Sequence, residues 1–400
     1  MTVLLSLVFY RKIKNLQENV LPWFTAGLFH GIIGFMKELL KNLIRAKSTL
    51  DIGEVKCARV LADFFTTAGL KPKVEVWDRT RANITAGLKS TGRKPSLLFV
   101  SHLDVVPADW ARAFEPSERN GKIFGRGACD MKAGIASAAI AMTEIFKSKI
   151  KLQGDVIFAA TAGEETDSAG VKKFVKSVKN ISQPAGIIIP EPTDFDLVTA
   201  HRGLLWLEIT TKGKSAHSSM PQLGINAIDS MRMFLNEIAD FKIPGTNKLL
   251  GKASLSVNKI IGGSGANIVP DFCSVCIDIR TIPGQNSAKI IASIKKILNR
   301  LSKQNPHFQA ELKCLRDSGS LQTNEKSGFV KQLKQLLKIK HPKAVPFTTD
   351  APYLTALKSP IVIFGPGKPQ ICHKPDEYID IKDLKKAVDL YKKIILRFLT

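Results

Sequence analysis

The sequence predicts an α/β fold, in which a main domain has a largely parallel central sheet flanked by helices and carries an inserted α+β unit. The length of 400 residues is about two to three times the commonest domain size, so one large core or two unequal cores are expected. A hydrophobic fraction of 44% and a charged fraction of 24% are typical of a globular protein. Helical and strand-like segments alternate along most of the chain, as in parallel sheets covered by helices.

The first half of the chain shows this alternation directly. Apolar residues recur at helical spacing over residues 36–47 and 51–68, and Gly69 follows the second segment, as glycine often follows a helix. Further strands are predicted at residues 73–77, 82–88, 96–101, 155–161 and 186–189, and further helices at 130–146 and 167–178. The alanine- and glycine-rich helix at 130–146 has side chains small enough to pack closely on a sheet.

The order of elements changes between residues 204 and 315. Strands are predicted there at 204–211, 253–261, 272–280 and 308–315, and helices at 225–241 and 288–301. This β-α-β-β-α-β order is that of a ferredoxin-like unit. The first pattern then resumes with a helix at 327–339, a strand at 360–364 and a helix at 381–399. The main domain is therefore expected at 36–203 and 316–400, with the inserted unit at 204–315.

Residues 1–35 are interpreted as an N-terminal appendage, with the globular part beginning near Met36. Residues 2–10 are apolar, but the basic cluster at 11–14 follows them, the reverse of a secretory signal. A second apolar run at 20–35 contains Pro22 and His30 and is too short for a membrane span. Whether residues 1–35 contact a membrane is left open.

Cysteine usage predicts a cytoplasmic protein. The six cysteines lie far apart except for Cys273 and Cys276, which suits reduced thiols better than a disulfide framework. This pair has no matching second pair for a zinc site. An offset of three residues in an alternating strand also directs the two side chains to opposite faces. Both are interpreted as packing residues.

The charge is unusual, since 59 Lys and Arg against 35 Asp and Glu give a net charge of +24. Such a charge favours anionic partners. In the basic stretch at residues 285–345, however, Lys331, Lys334 and Lys338 lie opposite leucines at helical spacing, as on the solvated side of an amphipathic helix. No recognised nucleic-acid motif accompanies them. We therefore expect no nucleic-acid partner.

Acidic and histidine residues follow most of the predicted strands of the main domain. Ligands of open α/β sheets bind just beyond the carboxyl ends of the strands. The residues concerned are His102, Asp104, Glu164, Glu165, Glu191 and His373, with Asp130 after a glycine-rich turn. Taken singly, His102 with Asp104 is better explained as a solvated strand end, and a helix N-cap is a strong alternative for Asp130. Together they supply the mixed imidazole and carboxylate set that suits Zn²⁺, Co²⁺ or Mn²⁺.

Four of these segments resemble the metal-binding motifs of the M20 metallopeptidases. They are residues 101–107 (SHLDVVP), 125–132 (GRGACDMK), 163–165 (GEE) and 191–193 (EPT). The family includes acetylornithine deacetylase, succinyl-diaminopimelate desuccinylase, aminoacylase and glutamate carboxypeptidase. The resemblance extends from about Met36 to the C-terminus in the expected order. It implies that the main domain is catalytic and that the inserted unit is a dimerisation or lid domain.

The resemblance also implies a site with two divalent metal ions, zinc first, with cobalt or manganese as alternatives. One ion would be held by His102, Asp130 and Glu191, and the other by Asp130, Glu165 and His373, so that Asp130 bridges them.

Other family positions supply catalytic and substrate-binding residues. Glu164 would act as general base and acid, Asp104 would orient His102, and His217 of the inserted unit would reach a catalytic centre of its own or of a partner subunit. The positions that would contact the substrate are Asn267, Arg280 and Thr349. Arg280 suits a carboxylate anchor because guanidinium donates two parallel hydrogen bonds, although it could equally cap a strand end.

The function implied is hydrolysis of an amide that joins an acyl group, succinyl or acetyl, to an amino acid. Succinyl-diaminopimelate desuccinylase and acetylornithine deacetylase, enzymes of lysine and arginine biosynthesis, are the leading types. A dipeptidase or carboxypeptidase with the same chemistry is the alternative, and a homodimer is expected in each case. A non-catalytic basic binding protein on this fold would lack ligand residues, whereas every expected position is filled.

Overall fold

The computed structural model of the chain describes residues 26–178 and 181–400, with side chains from residue 34 onward. The interpretation of residues 1–25 therefore lies outside the described residues. The chain divides into two compact units. Of the described residues, the first unit comprises 26–178, 181–197, 326–341 and 354–400, and the second comprises Val198–Glu325 and Pro342–Tyr353. Over the ranges that the structure describes, we find no helix with both the length and the apolar character that a membrane crossing needs.

The helices and strands follow one another along the chain as the sequence patterns indicate. The helices are α1 (Ala26–Arg45), α2 (Val55–Thr67), α3 (Ala133–Lys147), α4 (Ala169–Ser177), α5 (Ala227–Ala239), α6 (Ser287–Gln304), α7 (Gly328–Leu337), α8 (Ala351–Leu354) and α9 (Ile381–Leu399). The strands are β1 (Lys73–Trp77), β2 (Arg81–Leu88), β3 (Leu97–His102), β4 (Ser117–Arg119), β5 (Lys122–Phe124), β6 (Val156–Thr161), β7 (Gly186–Ile189), β8 (Val198–His201), β9 (Gly203–Lys212), β10 (Ala216–His217), β11 (Ser254–Gly262), β12 (Ile268–Val269), β13 (Phe272–Thr281), β14 (Gln309–Ser318), β15 (Leu321–Gln322), β16 (Lys343–Val345), β17 (Ile361–Ile363) and β18 (Tyr378–Asp380).

The first unit is built around a sheet with the strand order β1-β2-β6-β3-β7-β17. β3 pairs in parallel with β6 and β7, and β17 pairs in parallel with β7, whereas β1 and β2 are antiparallel additions. Every residue of β3 and β7 is buried, which explains why residues 97–100 and 187–189 are continuous apolar runs rather than alternating ones. The prediction of a largely parallel central sheet is confirmed.

Helices pack closely on this sheet because the side chains that they turn towards it are small or apolar. α3 consists largely of small residues, and a Cβ atom added to Gly134 would lie 2.0 Å from the main-chain oxygen of Pro190. α9 contributes Tyr391, whose hydroxyl donates a hydrogen bond of 2.9 Å to the carbonyl oxygen of Phe364 and whose ring contacts that of Phe99. These helices and the sheet share one hydrophobic core.

The second unit contains a four-stranded antiparallel sheet with the order β11-β13-β9-β14. α5 and α6 pack on it through a core that includes Leu207, Phe234, Ile277 and Ile294. The chain order β9-α5-β11-β13-α6-β14 confirms the predicted ferredoxin-like arrangement, with the short pair β10 and β12 added. Cys273 is buried and Cys276 is half-buried, as expected for an offset of three residues in a strand.

Helix ends and short strands differ from the sequence prediction. α1 begins at Ala26 and runs without a break past the expected boundary at residue 36. α3 begins three residues later than predicted, because Asp130 and Met131 have non-helical backbone angles. The three-residue strands β4, β5 and β18, which form a separate small sheet, were not predicted, since so few residues show no periodicity.

His201 is the buried histidine of β8 and is held by two polar contacts. Its Nδ1 atom lies 2.7 Å from the carbonyl oxygen of Arg202, and its Nε2 atom lies 3.3 Å from the hydroxyl of Thr349. Burial lowers the pKa of His201 from 6.5 to about 4. The folded protein therefore favours the neutral ring.

We expect His201→Asn to reduce the acid sensitivity of folding. A pKa that is lower in the folded state than in the unfolded state contributes stability above pH 6.5, and this contribution is lost as the pH falls from about 6.5 through 4. The contribution at stake is at most about 3 kcal/mol. Urea unfolding at pH 7 and pH 4.5 measures it as the difference between the two proteins. His307→Asn, at an exposed position of the same unit, should behave as the unchanged protein. Equal acid sensitivity of all three proteins would contradict the assignment.

Candidate metal centre

The structure brings the five predicted metal ligands together at one edge of the central sheet of the first unit. His102 is the last residue of β3, and Glu165 and Glu191 follow the parallel strands β6 and β7. His373 follows β17, and Asp130 lies in the turn before α3. The carboxyl ends of parallel strands meet at the same edge, which is why residues so distant in sequence converge.

Asp130 lies between the two imidazoles. Its Oδ1 atom is 3.3 Å from Nε2 of His102, and its Oδ2 atom is 3.2 Å from Nε2 of His373. The Oδ1 atom is fully buried, and within residues 26–178 and 181–400 no hydrogen-bond donor satisfies it. A buried carboxylate oxygen without a hydrogen bond is unfavourable unless another positive partner faces it.

A second carboxylate accompanies each imidazole. Oε1 of Glu191 lies 3.5 Å from Nε2 of His102, and Oε1 of Glu165 lies 3.0 Å from Nε2 of His373. One ligand atom each from His102, Asp130 and Glu165 falls within a mutual distance of 4.8 Å. Imidazole nitrogens and carboxylate oxygens are the donors that zinc and related ions prefer. The residues therefore fit two divalent ions, one on each side of Asp130.

The electrostatics of these side chains also favour a cation. Burial, reinforced by the charge of Asp130, raises the pKa of Glu191 well above its usual value. Hydrogen bonds with Asp130 and Glu165 raise the pKa of His373 to about 10. Burial raises the pKa of Asp130, but the two imidazoles beside its carboxylate outweigh burial and hold that pKa well below the usual range. Metal ligands bind in their deprotonated form, so a divalent ion would displace protons from these side chains.

Asp104 connects the end of β3 to the loop that carries Glu164 and Glu165. Its carboxylate accepts hydrogen bonds from the main-chain N–H groups of Gly163, Glu164 and Glu165 at 2.8, 3.0 and 2.9 Å. The main-chain oxygen of Asp104 lies 3.0 Å from Nδ1 of His102, closer than its carboxylate oxygen at 3.6 Å. Asp104 is thus placed to act on His102 mainly through its backbone and on the Glu164 loop through its side chain.

Arg81 supports the same loop from the side of the protein core. Its guanidinium contacts both carboxylate oxygens of Glu54, at 3.1 and 3.0 Å, and also reaches Asp167. Gly163 has a left-handed φ of 82°, and a Cβ atom there would lie 2.3 Å from Nη2 of Arg81. Glycine is therefore required at the point where the loop turns towards Glu164.

Glu377 is the residue of the site that sequence reasoning left without a role. Its fully buried carboxylate accepts hydrogen bonds from the guanidinium of Arg126 at 2.6 Å and from the N–H of Gly127 at 3.1 Å. It also accepts the N–H groups of Cys129 at 2.8 Å and Asp130 at 3.0 Å. One carboxylate therefore shapes the whole turn that presents Asp130. The available signal in the sequence was the position of Glu377 four residues after His373.

His217 and Asn267 lie together in the second unit, where β10 pairs with β12. Both are exposed, and the N–H of Ser218 donates to the main-chain oxygen of Asn267 at 3.0 Å. Nδ1 of His217 accepts the main-chain N–H of Ser219 at 3.2 Å and lies 2.7 Å from its hydroxyl. In the neutral ring the proton then belongs to Nε2, which is left as a hydrogen-bond donor.

Arg280 and Thr349 also lie in the second unit but are engaged with other residues. The guanidinium of Arg280 forms two hydrogen bonds with Asp278, at 2.8 and 2.9 Å, and Asp278 also accepts the indole N–H of Trp206 at 2.9 Å. The ion pair, rather than a strand cap, orients Arg280. The Thr349 hydroxyl is buried and accepts the N–H of Ala351 at 3.1 Å, so substrate contact by Thr349 stays a prediction.

Comparison with known proteins agrees with this geometry. The sequence model that describes peptidase family M20/M25/M40 matches residues 98–397 of the chain. The chain belongs to this family. The M20 proteins are metal-dependent hydrolases, and this chain is one of them. The resemblance found in the sequence motifs is confirmed.

Named relatives and solved structures of the M20 family resemble the chain over most of its length. An acetylornithine deacetylase of Myxococcus xanthus is 29% identical over 328 residues, covering 80% of this chain and 84% of that protein. A probable succinyl-diaminopimelate desuccinylase of Staphylococcus epidermidis is 29% identical over 402 residues, covering 90% and 97%. A dinuclear metal-binding M20 peptidase of Bacillus subtilis has the same fold, with a TM-score of 0.67 at 17% identity over 91% of this chain and 98% of that chain.

We expect Glu377→Gln to weaken metal binding while the protein stays folded. Glutamine keeps the size of the side chain, but its amide N–H₂ group faces main-chain or guanidinium donors, so the turn around Asp130 must shift. Loss of a residue that supports a ligand typically lowers metal affinity about 10- to 100-fold. Competition with a chromogenic zinc chelator measures this change, and circular dichroism checks the fold. Asp376→Asn, at the exposed neighbouring carboxylate, is the matched control. Equal zinc affinity in both variants would refute the role of Glu377.

Proposed function

We propose that this M20 hydrolase is a dinuclear metal-dependent amidohydrolase that removes an acetyl or succinyl group from the amine of an amino acid. The observation that carries the proposal is the position of Asp130, with one carboxylate oxygen towards His102 and the other towards His373. The relatives named as acetylornithine deacetylase and succinyl-diaminopimelate desuccinylase support the substrate class. The Bacillus subtilis peptidase supports a pair of ions.

The proposed ligands of each ion are the residues that lie on one side of the Asp130 carboxylate. His102, Asp130 and Glu191 would hold one ion, and Asp130, Glu165 and His373 the other. Zinc is the ion proposed, with cobalt or manganese as alternatives that the same donors accept. When bound, such ions polarise an amide carbonyl and lower the pKa of water.

Glu164 is the residue proposed to move the proton. Its side chain is buried, and its main-chain N–H is bound to Asp104, so the carboxylate is held beside the ligand Glu165. Glu164 would accept a proton from the attacking water and return it to the nitrogen of the departing amine. Since Glu165 is assigned to an ion, the neighbouring carboxylates have separate tasks.

Residues of the second unit are proposed to bind the substrate. Nε2 of His217 is left as a donor by the contacts of Nδ1, which suits stabilisation of the oxyanion that forms at the amide carbon. Arg280, oriented by Asp278, suits a substrate carboxylate, with Asn267 as a further polar contact and Thr349 as a candidate from the sequence. The alternative is a dipeptidase or carboxypeptidase, which the Bacillus subtilis peptidase favours.

We expect hydrolysis of N-acetyl or N-succinyl amino acids by the zinc-loaded protein, measured by release of the free amine. A panel should include N-acetylornithine, N-succinyl-diaminopimelate and several dipeptides, since the peptidase alternative predicts activity on the last group only. Glu164→Gln should lower kcat by about 10²- to 10⁴-fold because general base catalysis is lost. Its zinc content should not change. Glu115→Gln, at an exposed site, is the control. Full activity of Glu164→Gln with normal zinc content would refute the assignment.

We also propose a homodimer formed by the edge strand β11. Val257, Ile260 and Ile261 of this strand are exposed, the last two by more than half. Ile228 of α5 extends the apolar strip, since a Cβ atom on Gly263 would lie 3.6 Å from it. The opposite edge strand, β14, carries four charged residues against one, Lys259, in β11, and charged residues protect an edge from pairing. An apolar edge strand suits pairing with a second copy about a two-fold axis.

Ile261→Lys should convert this dimer into a monomer, because each copy would then carry an added charge on its pairing edge. Sedimentation velocity of the full chain measures the change. Leu315→Lys places the same charge on the opposite edge strand and should leave the dimer intact. A dimer that survives Ile261→Lys, or dissociates in Leu315→Lys, would contradict the proposed interface.

A cytoplasmic location is proposed from the thiols. Cys57, Cys129, Cys273, Cys276, Cys314 and Cys372 are all free cysteines. Free thiols persist in a reducing compartment.

A further inference from the structure

Two cysteines of the first unit lie side by side next to the candidate metal centre. The sulfur atoms of Cys129 and Cys372 are 3.7 Å apart, although 243 residues separate them in the chain. Cys129 directly precedes Asp130, and Cys372 directly precedes His373. Each cysteine is therefore the sequence neighbour of a proposed metal ligand. The proposed function assigns no role to either cysteine.

The surroundings hold the two thiols in this position. Both sulfur atoms face the main-chain oxygen of Lys368, at 3.6 Å from Cys129 and 3.7 Å from Cys372. The preceding residue, Gly367, leaves no room for a side chain, since a Cβ atom there would lie 2.5 Å from the sulfur of Cys129. Cys129 is buried and Cys372 is half-buried, so an oxidant from solvent can reach the pair through Cys372.

We propose that Cys129 and Cys372 form a reversible disulfide that lowers the affinity of the centre for divalent metal ions. The oxidant is of the peroxide class. Hydrogen peroxide would oxidise the Cys372 thiol to a sulfenic acid with release of one water. The Cys129 thiol would then displace the sulfenic hydroxyl, forming the disulfide and a second water. Two thiols lose two electrons in total, and one peroxide is reduced to two waters. A dithiol reductant reverses the reaction by thiol–disulfide exchange.

Disulfide formation must move the backbone or the side chains beside the ligands. A disulfide joins its sulfur atoms at about 2.05 Å, so the two atoms must approach by about 1.7 Å. The N–H groups of Cys129 and Asp130 share Oε1 of Glu377, which couples any shift of Cys129 to Asp130. On the other side of the pair, a peptide bond joins Cys372 directly to His373, so a shift of Cys372 also moves His373. The 3.2 Å contact between Asp130 and His373 is therefore the geometry that the disulfide disturbs.

The coupling must act in both directions. If the disulfide weakens metal binding by a given factor, bound metal disfavours the disulfide by the same factor. The metal-loaded protein should then resist oxidation at this pair, and the metal-free protein should be the sensitive form. The metal effect depends on the proposed function, whereas formation of the disulfide does not.

The test treats the metal-free full-length protein with hydrogen peroxide, removes the oxidant and divides the sample. Non-reducing peptide mapping by mass spectrometry should find the peptides of Cys129 and Cys372 joined. Competition with a chromogenic chelator should show zinc affinity reduced about tenfold or more, the size typical for disturbed ligand supports. Treatment with dithiothreitol, followed by its removal, should restore the affinity.

Two variants separate this pair from other oxidation. Cys372→Ser should keep its zinc affinity after peroxide treatment, since no disulfide can form. Cys314→Ser, which removes an exposed thiol of the second unit, should lose affinity as the unchanged protein does. Absence of the joined peptides, or unchanged zinc affinity in protein that carries the disulfide, would overturn the proposal. Failure of the reduced protein to bind zinc at all would instead refute the metal centre, while the peptide map would still decide whether the pair forms a bond.

Discussion

The carboxylate of Asp130 is the group on which the arrangement of the first unit depends. Its two oxygen atoms face different imidazoles, those of His102 and His373. A carboxylate that binds on both sides holds its neighbours at a set spacing, because neither oxygen can turn without losing its contact. Glu191 and Glu165 each lie beside one of these imidazoles, so their positions also follow from that of Asp130.

Two further buried carboxylates hold the backbone of the loops around the site and are not themselves assigned to an ion. Glu377 gathers the N–H groups of the turn before α3, and Asp104 gathers those of the loop after β6. Ionised carboxylates accept such hydrogen bonds strongly, and burial strengthens them further. The loops that carry Asp130 and Glu164 are thus fixed by charge-assisted contacts, as a precise site requires.

The local charge of the centre is opposite to that of the protein as a whole. The chain carries a net charge of +24, yet carboxylates outnumber imidazoles in the cluster around Asp130. Close contacts in a buried site act at low effective dielectric, whereas exposed lysines are screened by water and salt. The site can therefore attract cations although the surface is basic. The Cys129–Cys372 pair lies next to this cluster, so a change of bonding at the sulfur atoms would act on the proposed ligands at short range.

The sequence by itself determined the order of elements, the parallel sheet, the ferredoxin-like unit and the residue types of the centre. It could do so because periodicity is a local property and because strands of a parallel sheet place their carboxyl ends at one edge. The roles of Glu377 and of the paired thiols were decided only by the tertiary structure. Glu377 and Asp130 are 247 residues apart in the chain, and the two cysteines 243. No local pattern records such contacts, because they arise only when folding buries the groups together and each must find a partner there.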